Sequence, residues 1–463
     1  ALMYRKNISL IPSNKDLSCH SGLTLFNSLW DNLKLNKKLS RHLPRKKKNR
    51  GMKQINKLKT ILFSFALGND CIADLDHLLN DSLLSELAGG KLPARTAGDF
   101  LAGFHRRQIE KIKDVLLETA IAIRLAVWKD DNQFILSMDS TPHKQYSKKM
   151  EKIGTNYKGI EGFDSQNAYD QYGVSYLFDL RSGNTHSCTD AERWIHQIFN
   201  KVPKRMDRYY RGDSAYGTGE VYQALDVANV KFTIVLKDNV ASPTRKANKH
   251  LLAWKKTDIE FFGSDECEVA MGFYNEKTIG ELRVVFLRKR KDESEIIEKQ
   301  LSLLEKYDPE EHDYQHYSII TNIDISEMNN EKIIEFYRGR ANCENFIKEQ
   351  KYNFDFLHFP CKRFEANQAW GLIGTFAHNM MRFLSLCMEQ KVKRVRGKDD
   401  VIRTVIQLGY FAKKVRNELI NIPCQVAVRS RGLKLYLNNE AKEVLEKIMI
   451  KMNSMFSMGT VFT

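Results

Sequence analysis

At 463 residues the chain is too long for one simple core, so two or three domains are expected. Hydrophobic residues at 42% and aromatics at 10% exclude a disordered chain, and no apolar run approaches the roughly 18 residues of a membrane span. A formal charge of +16 calls for a polyanionic partner, nucleic acid or an acidic membrane surface. Eight scattered cysteines with no CxxC pair argue against a zinc module and for reduced thiols. The first residues, Ala1 to Lys6, lack the apolar stretch of a secretory signal. The expectation is an intracellular DNA- or RNA-binding protein.

Residues 1–128 read as a helical region. Leu23, Leu25, Phe26, Leu29 and Leu33 recur at helix spacing, as do Leu58, Ile61, Leu62, Phe65 and Ala66. Between them lies a basic run that includes Arg45, Lys46, Lys47, Lys48 and Arg50. Such a run is either a solvated loop or an arm that follows DNA phosphates. Helices are expected near 72–87 and 94–128. Over 129–238 the pattern turns to strands, Phe134–Asp139, Tyr172–Leu180, Met206–Arg211 and Val230–Leu236, with helices near 190–200 and 220–228. Gly183-Asn184 suits a hairpin turn. This alternation predicts a mixed sheet covered by helices. Residues 239–325 read as an inserted, mainly antiparallel β subdomain, with strands at Phe261-Phe262, Val269–Tyr274, Leu282–Leu287 and Tyr317–Thr321. Residues 326–395 return to the core, with a long helix at 365–390. Residues 396–463 carry a helix at 398–419, a hairpin at 425–437 and a last helix at 440–452.

Three acids stand out. Asp139 closes an apolar strand, and Asp213 sits in a Gly-flanked turn just after another. Glu344 lies in a stretch that, taken as one helix at about 100° per residue, places Tyr337, Arg340, Glu344, Lys348 and Lys351 in an arc of roughly 60°. Each acid by itself is equally a cap or turn residue, and the helix face equally a set of surface ion pairs. In an open α/β sheet, however, strand C-termini converge where ligands bind. Three carboxylates meeting there repel one another unless cations intervene. Magnesium suits such hard oxygens, and two such ions support in-line displacement at phosphorus. Arg340 and Lys351 suit phosphate contact.

The same motifs resemble the DDE-type transposases of bacterial insertion sequences. Tyr337, Arg340, Glu344 and Lys351 match the Tyr-Arg-Glu-Lys signature of one superfamily, the insertion-sequence-four superfamily. Asp139-Ser140-Thr141, Arg181 with Gly183-Asn184, Arg211-Gly212-Asp213-Ser214 and Cys361-Lys362-Arg363-Phe364 are similar to motifs of its thirteen-eighty group, as is Ala66-Leu67-Gly68-Asn69-Asp70 with Asp74. Ser182 stands where relatives often carry Pro.

The resemblance implies an α/β multidomain fold: a ribonuclease-H-like catalytic core with an inserted antiparallel β subdomain, a helical N-terminal domain and a helical C-terminal region. It implies that Asp139, Asp213 and Glu344 are catalytic and hold two Mg²⁺ ions, with Mn²⁺ able to substitute. Tyr337, Arg340 and Lys351 would hold phosphates, with Lys348 added from helix geometry. Trp254 is a candidate for stacking a flipped base or a core residue, and His143 and Arg211 are candidate phosphate contacts or structural residues. The implied activity is cut-and-paste transposition through a hairpin intermediate. The partners are double-stranded DNA at terminal repeats, flanks and target, and a second copy of the chain in the synaptic complex. No membrane is involved, and the setting is the bacterial cytoplasm at the nucleoid. The competing readings are a ribonuclease-H-like nuclease without strand transfer and a transposase-derived regulator that no longer cuts.

Overall fold

The computed structural model describes residues 14–46, 50–127, 131–156, 158–259, 266–303, 307–388, 392–396, 402–406, 411–430 and 432–457. The chain divides into two units, residues 1–103 with 384–463, and residues 104–383. Both chain ends therefore build the first unit. Its core forms where the apolar stripe of helix Leu23–Asn32 (Phe26, Leu29, Trp30) meets helix Gln54–Leu67, with Phe26 and Phe63 edge to face at 6.2 Å. Strand β1 (Leu17–Ser18) pairs with strand Cys424–Arg429, which turns back into Gly432–Tyr436 as expected. Within the helix expected at 398–419, Ile402–Ile406 is a strand paired with Val392–Arg396, Ala412 to Ile420 is a short helical segment, and 398–401 and 407–410 lie outside the described residues. The β-branched residues on both strands (Val392, Val395, Ile402, Thr404, Val405, Ile406) favour the extended form over a helix.

The second unit is built on one sheet. In chain order its strands are β2 (Gln133–Lys144), β3 (Gly154–Thr155), β4 (Glu161–Tyr169), β5 (Ser175–Ser182), β6 (Asp207–Gly212), β7 (Lys231–Val235), β8 (Lys255–Thr257), β9 (Cys267–Glu276), β10 (Gly280–Arg290) and β11 (Tyr314–Thr321). Their spatial order is β3-β4-β2-β6-β7-β11-β10-β9-β8, with β5 on β4. The pairs β2·β6 and β6·β7 are parallel and the others antiparallel. The strands expected after residue 239 are antiparallel, as read from the sequence. They form no separate sheet, because β11 pairs with β7 through Ile319–Thr321 and extends the core sheet. The expected Phe261-Phe262 strand lies outside the described residues. Helix Arg106–Val127, expected with the N-terminal region, belongs to this unit and packs on β5.

Two corrections bear on the site. First, β4 has no apolar signature. Asp164, Ser165, Gln166 and Asn167 are all buried in it, between β2 and β5. Second, the β4–β5 hairpin turns at 170–174, where Gly173 has φ +82°, and Gly183-Asn184 lies beyond β5. The outer edge of β5 is closed by helix Phe364–Cys387. Asn379 accepts from the Ser175 N–H at 2.7 Å and donates to its carbonyl at 2.8 Å, occupying groups that a further strand would pair. Among the described residues no helix is long and apolar enough to cross a membrane.

Gly173 is held twice over. A Cβ there would lie 2.5 Å from the Phe346 ring, and its φ disfavours any side chain. Gly173→Ala is therefore expected to cost about 1–3 kcal/mol of unfolding free energy, read as a lower midpoint in urea. An unchanged midpoint would show that Phe346 does not pack against the hairpin turn.

Candidate active site

The apolar residues Phe134, Leu136 and Met138 commit one side of β2 to the core. The opposite alternation carries Ile135, Ser137 and Asp139. Ser137 is the last β2 residue in register with β6, opposite Arg211. Asp139 and Asp213 each follow that pair by two residues, so both acids lie just past the end of the β2·β6 pairing. Asp139 does not close its strand, as expected from the sequence, because β2 runs on to Lys144 paired with β4. Strands in a sheet lie about 4.8 Å apart. Asp213 also caps the short helix Ser214–Tyr216, accepting from the Ala215 N–H at 2.9 Å. The cap and the site-forming roles thus coincide.

Asp139 is 16% exposed. Burial lifts its carboxyl to about 6; the Arg340 guanidinium opposes the shift and the charge of Asp213 adds to it. Arg340 Nη1 lies 3.1 Å from Asp139 Oδ2, and Nη2 lies 3.8 Å from Glu344 Oε1. Burial works against the Arg340 charge, but Tyr337, Asp139 and Asp213 outweigh it and hold the guanidinium protonated beyond its ordinary range. Glu344 itself is 54% exposed. Among the described residues, the three acids are not all within 4.8 Å of one another; one cation links the first to the third. Asp70, Cys71 and Asp74 do lie that close, where Asp74 accepts from the Asp70 and Cys71 N–H groups at a helix start.

The signature stretch is two helices, Asn330–Arg338 and Ala341–Asn353, rather than one. At the junction, Arg340 N bonds to Tyr337 O at 2.9 Å and Cys343 N to Arg340 O at 2.8 Å, a tighter winding than an α-helix. Phe336 O, which an unbroken helix would offer to the Arg340 N–H, accepts instead from Arg211 Nη1 at 3.2 Å. A Cβ on Gly339 would lie 2.0 Å from Nη1 of buried Arg211. This corrects the expected arc. Tyr337 is 7% exposed and packs with Tyr209, Ile333 and Ile334, and its hydroxyl accepts from Arg340 Nε at 3.2 Å. It orients the arginine from below and offers no open phenol. The second helix lies over β2 and β4 through Cys343, Phe346 and Ile347, which cluster with Tyr169, while the Tyr169 hydroxyl donates to Gln350 at 2.7 Å. Cys343, Phe346 and Gln350, which helix spacing puts on the side away from Glu344 and Lys348, thus form the packing side.

The remaining candidates separate. Lys351 Nζ donates to Pro142 O at 2.9 Å, tying the helix to β2 just past Asp139. Lys348 is exposed. Arg211 donates to Ser137 Oγ at 3.1 Å and to Phe336 O at 3.2 Å, and burial lowers it to about 10. It braces strand to helix from inside. His143 is 1% exposed, and burial depresses its imidazole to about 3, so it is neutral. Its Nδ1 donates to Phe356 O, and its Nε2 accepts from Ser165 Oγ at 2.7 Å. Neither nitrogen is left for a phosphate, so His143 is a structural hydrogen-bonder.

Trp254 is half-buried, with the Arg288 guanidinium 4.0 Å over its ring and the same guanidinium 4.1 Å from Tyr314. One indole face is thereby covered. In the first unit, Arg45 and Arg50 are exposed, and Lys46 Nζ donates to Gly51 O at 2.8 Å. These three line a cavity of about 560 Å³ with Lys57 and Phe100. Lys47 and Lys48 lie outside the described residues.

Sequence reasoning missed Asp164, opposite Pro142 on β4, where burial raises its carboxyl to about 6 against Arg181. Arg181 was singled out only within its motif; its partner sits in a strand that hydropathy does not reveal.

Adding a methyl at Gly339 should displace Arg211 from both acceptors. Gly339→Ala is expected to lower stability by about 1–3 kcal/mol in a denaturant titration; a variant as stable as the parent would show that the junction has room.

No curated protein matches the chain significantly. The family model described as Transposase DDE domain group 1 matches residues 1–454. The chain belongs to that transposase family.

Proposed function

We propose that this transposase acts by cut and paste: it binds the ends of its element, cleaves DNA by phosphodiester hydrolysis and transesterification with a hairpin intermediate, and joins the ends to target DNA. The observation that carries the proposal is the pair Asp139 and Asp213 just past the end of the parallel β2·β6 pairing, linked through Arg340 to Glu344. The spatial order β5-β4-β2-β6-β7, three antiparallel strands and then a parallel pair, supports a ribonuclease-H-like core. The signature spacing supports placement in the insertion-sequence-four superfamily and its thirteen-eighty group. We take the chain to act as a homodimer, because two ends must be held together.

The donor set fits divalent metal. Two hard carboxylates meet where burial resists ionisation of Asp139, and a guanidinium now supplies the opposing charge. Asp139, Asp213 and Glu344 would hold Mg²⁺, or Mn²⁺ in its place. When bound, such ions lower the pKa of water or a 3′-hydroxyl and stabilise the departing oxygen. The chain's own groups do the rest. Tyr337 and the acids keep Arg340 charged and aimed across the site. The planar guanidinium, once released from its carboxylates, would suit bidentate contact with a phosphate. Lys351 and Lys348 add positive charge along the same helix, and Arg45 and Arg50 offer a second phosphate-binding surface.

Asp139→Asn, Asp213→Asn and Glu344→Gln are each expected to lower Mg²⁺-dependent cleavage of element-end DNA by about three orders of magnitude or more, with binding within a few-fold of the parent. Denaturing gels of labelled ends report cleavage, hairpins and joined products together. Retained cleavage in any one variant would remove that acid from the assignment. Arg340→Ala should weaken duplex binding and reduce the slope of log K against log salt by about 0.9, measured by fluorescence polarisation. An unchanged slope would keep Arg340 on Asp139 and off the DNA.

A further inference from the structure

Beyond the acids, β2 continues past the site and stays wedded to the end of the signature helix. Lys351 bonds to Pro142 O, His143 to Phe356 O, and Gln145 donates to Leu357 O at 3.1 Å and accepts from the Phe359 N–H at 3.3 Å. These bonds fix two tyrosines on neighbouring segments, Tyr146 just after the stitched strand and Tyr352 just before the stitched loop. Tyr146 is 78% exposed and Tyr352 73%. A single exposed aromatic needs no explanation. Here the two stand among exposed cations: Lys144, Lys148 and Lys149 beside Tyr146, and Lys348 one turn before Tyr352. Lys144 Nζ lies 5.0 Å over the Tyr146 ring. The one acid between residues 144 and 152, Glu151, is occupied in accepting from the Phe364 N–H at 3.0 Å.

Lysines attract phosphates of any DNA, but rings held out in water find base faces only where bases are unstacked, since a duplex hides them. We propose that Tyr146 and Tyr352 form a stacking platform for an unpaired DNA strand that leads away from the catalytic acids. Glu344, Lys348 and Tyr352 recur every four residues on the open side of the helix, and Tyr352 lies about 12 Å along the axis from Glu344 at 1.5 Å per residue. Tyr146 is seven residues past Asp139, about 23 Å of extended chain. Tyr352 thus serves nucleotides nearer the scissile phosphate and Tyr146 those farther along. The platform rests on the proposed strand chemistry for its position, and on exposed rings and cations for its ligand.

The test uses the purified full chain, a fluorescent oligothymidine and a duplex of equal length, with calcium in place of magnesium to block cutting. Tyr146→Ala and Tyr352→Ala are each expected to weaken oligothymidine binding about tenfold and leave duplex binding within twofold, while Tyr→Phe at either position restores it. Parent-like binding of oligothymidine by both Ala variants would overturn the platform, as would equal losses on single strand and duplex, or failure of Phe to rescue. A parent chain that binds DNA but never cuts it with Mg²⁺ contradicts the proposed function instead, and the tyrosine comparison still reads independently of that result.

Discussion

The parallel pairing of β2 with β6 is the constraint from which the site follows. Register is quantised in steps of two residues, because a slip of one would turn Phe134, Leu136 and Met138 outward. With that register set by burial, Asp139 and Asp213 come to lie side by side, each two residues past the last paired residues of β2 and β6. Their repulsion, added to the desolvation of Asp139, makes the end of the sheet a place where positive charge is stabilised. Arg340 supplies that charge, and everything that positions Arg340 serves the same end. Tyr337 bonds to it from below, and the tight turn after Gly339 delivers it to the carboxylates.

The signature residues consequently divide their work by burial rather than by sequence spacing. Tyr337 and Arg211 lie inside, holding geometry; Arg340 spans the boundary; Glu344 and Lys348 face outward. Lys351 anchors the helix to the strand that carries Asp139. An uninterrupted helix would have put the phenol beside the carboxylate. The junction instead puts it under the guanidinium, where it holds the cation in place.

Much of this was legible in the sequence because it rests on hydrophobic periodicity. The apolar strands before Asp139 and Asp213, the packing side of Cys343, Phe346 and Gln350, and helices such as Ala191–Lys201 follow from where apolar residues fall. Other features depend on partners that sequence spacing does not show. Strand β4 buries Asp164, Ser165, Gln166 and Asn167, which are tolerable inside only because Arg181, His143 and a backbone carbonyl satisfy several of them. At the helix break, Phe336 O is taken by Arg211, 128 positions from Gly339 by residue number (339 − 211). Dipeptide chemistry put a hairpin turn at Gly183-Asn184, beyond β5, whereas the β4–β5 hairpin turns at 170–174, where Gly173 packs against Phe346. The continuity of the later strands with the core likewise hangs on three residue pairs between β7 and β11.

If the acids form one cation-binding site with Arg340 as its resting counter-charge, metal uptake should depend on Asp213 and release protons as Asp139 ionises. Titrating Mn²⁺ into the purified chain near pH 6, with free Mn²⁺ followed by electron paramagnetic resonance, tests this directly. The account predicts saturable uptake with proton release, and loss of both in Asp213→Asn. Uptake and proton release unaltered by that substitution would contradict it.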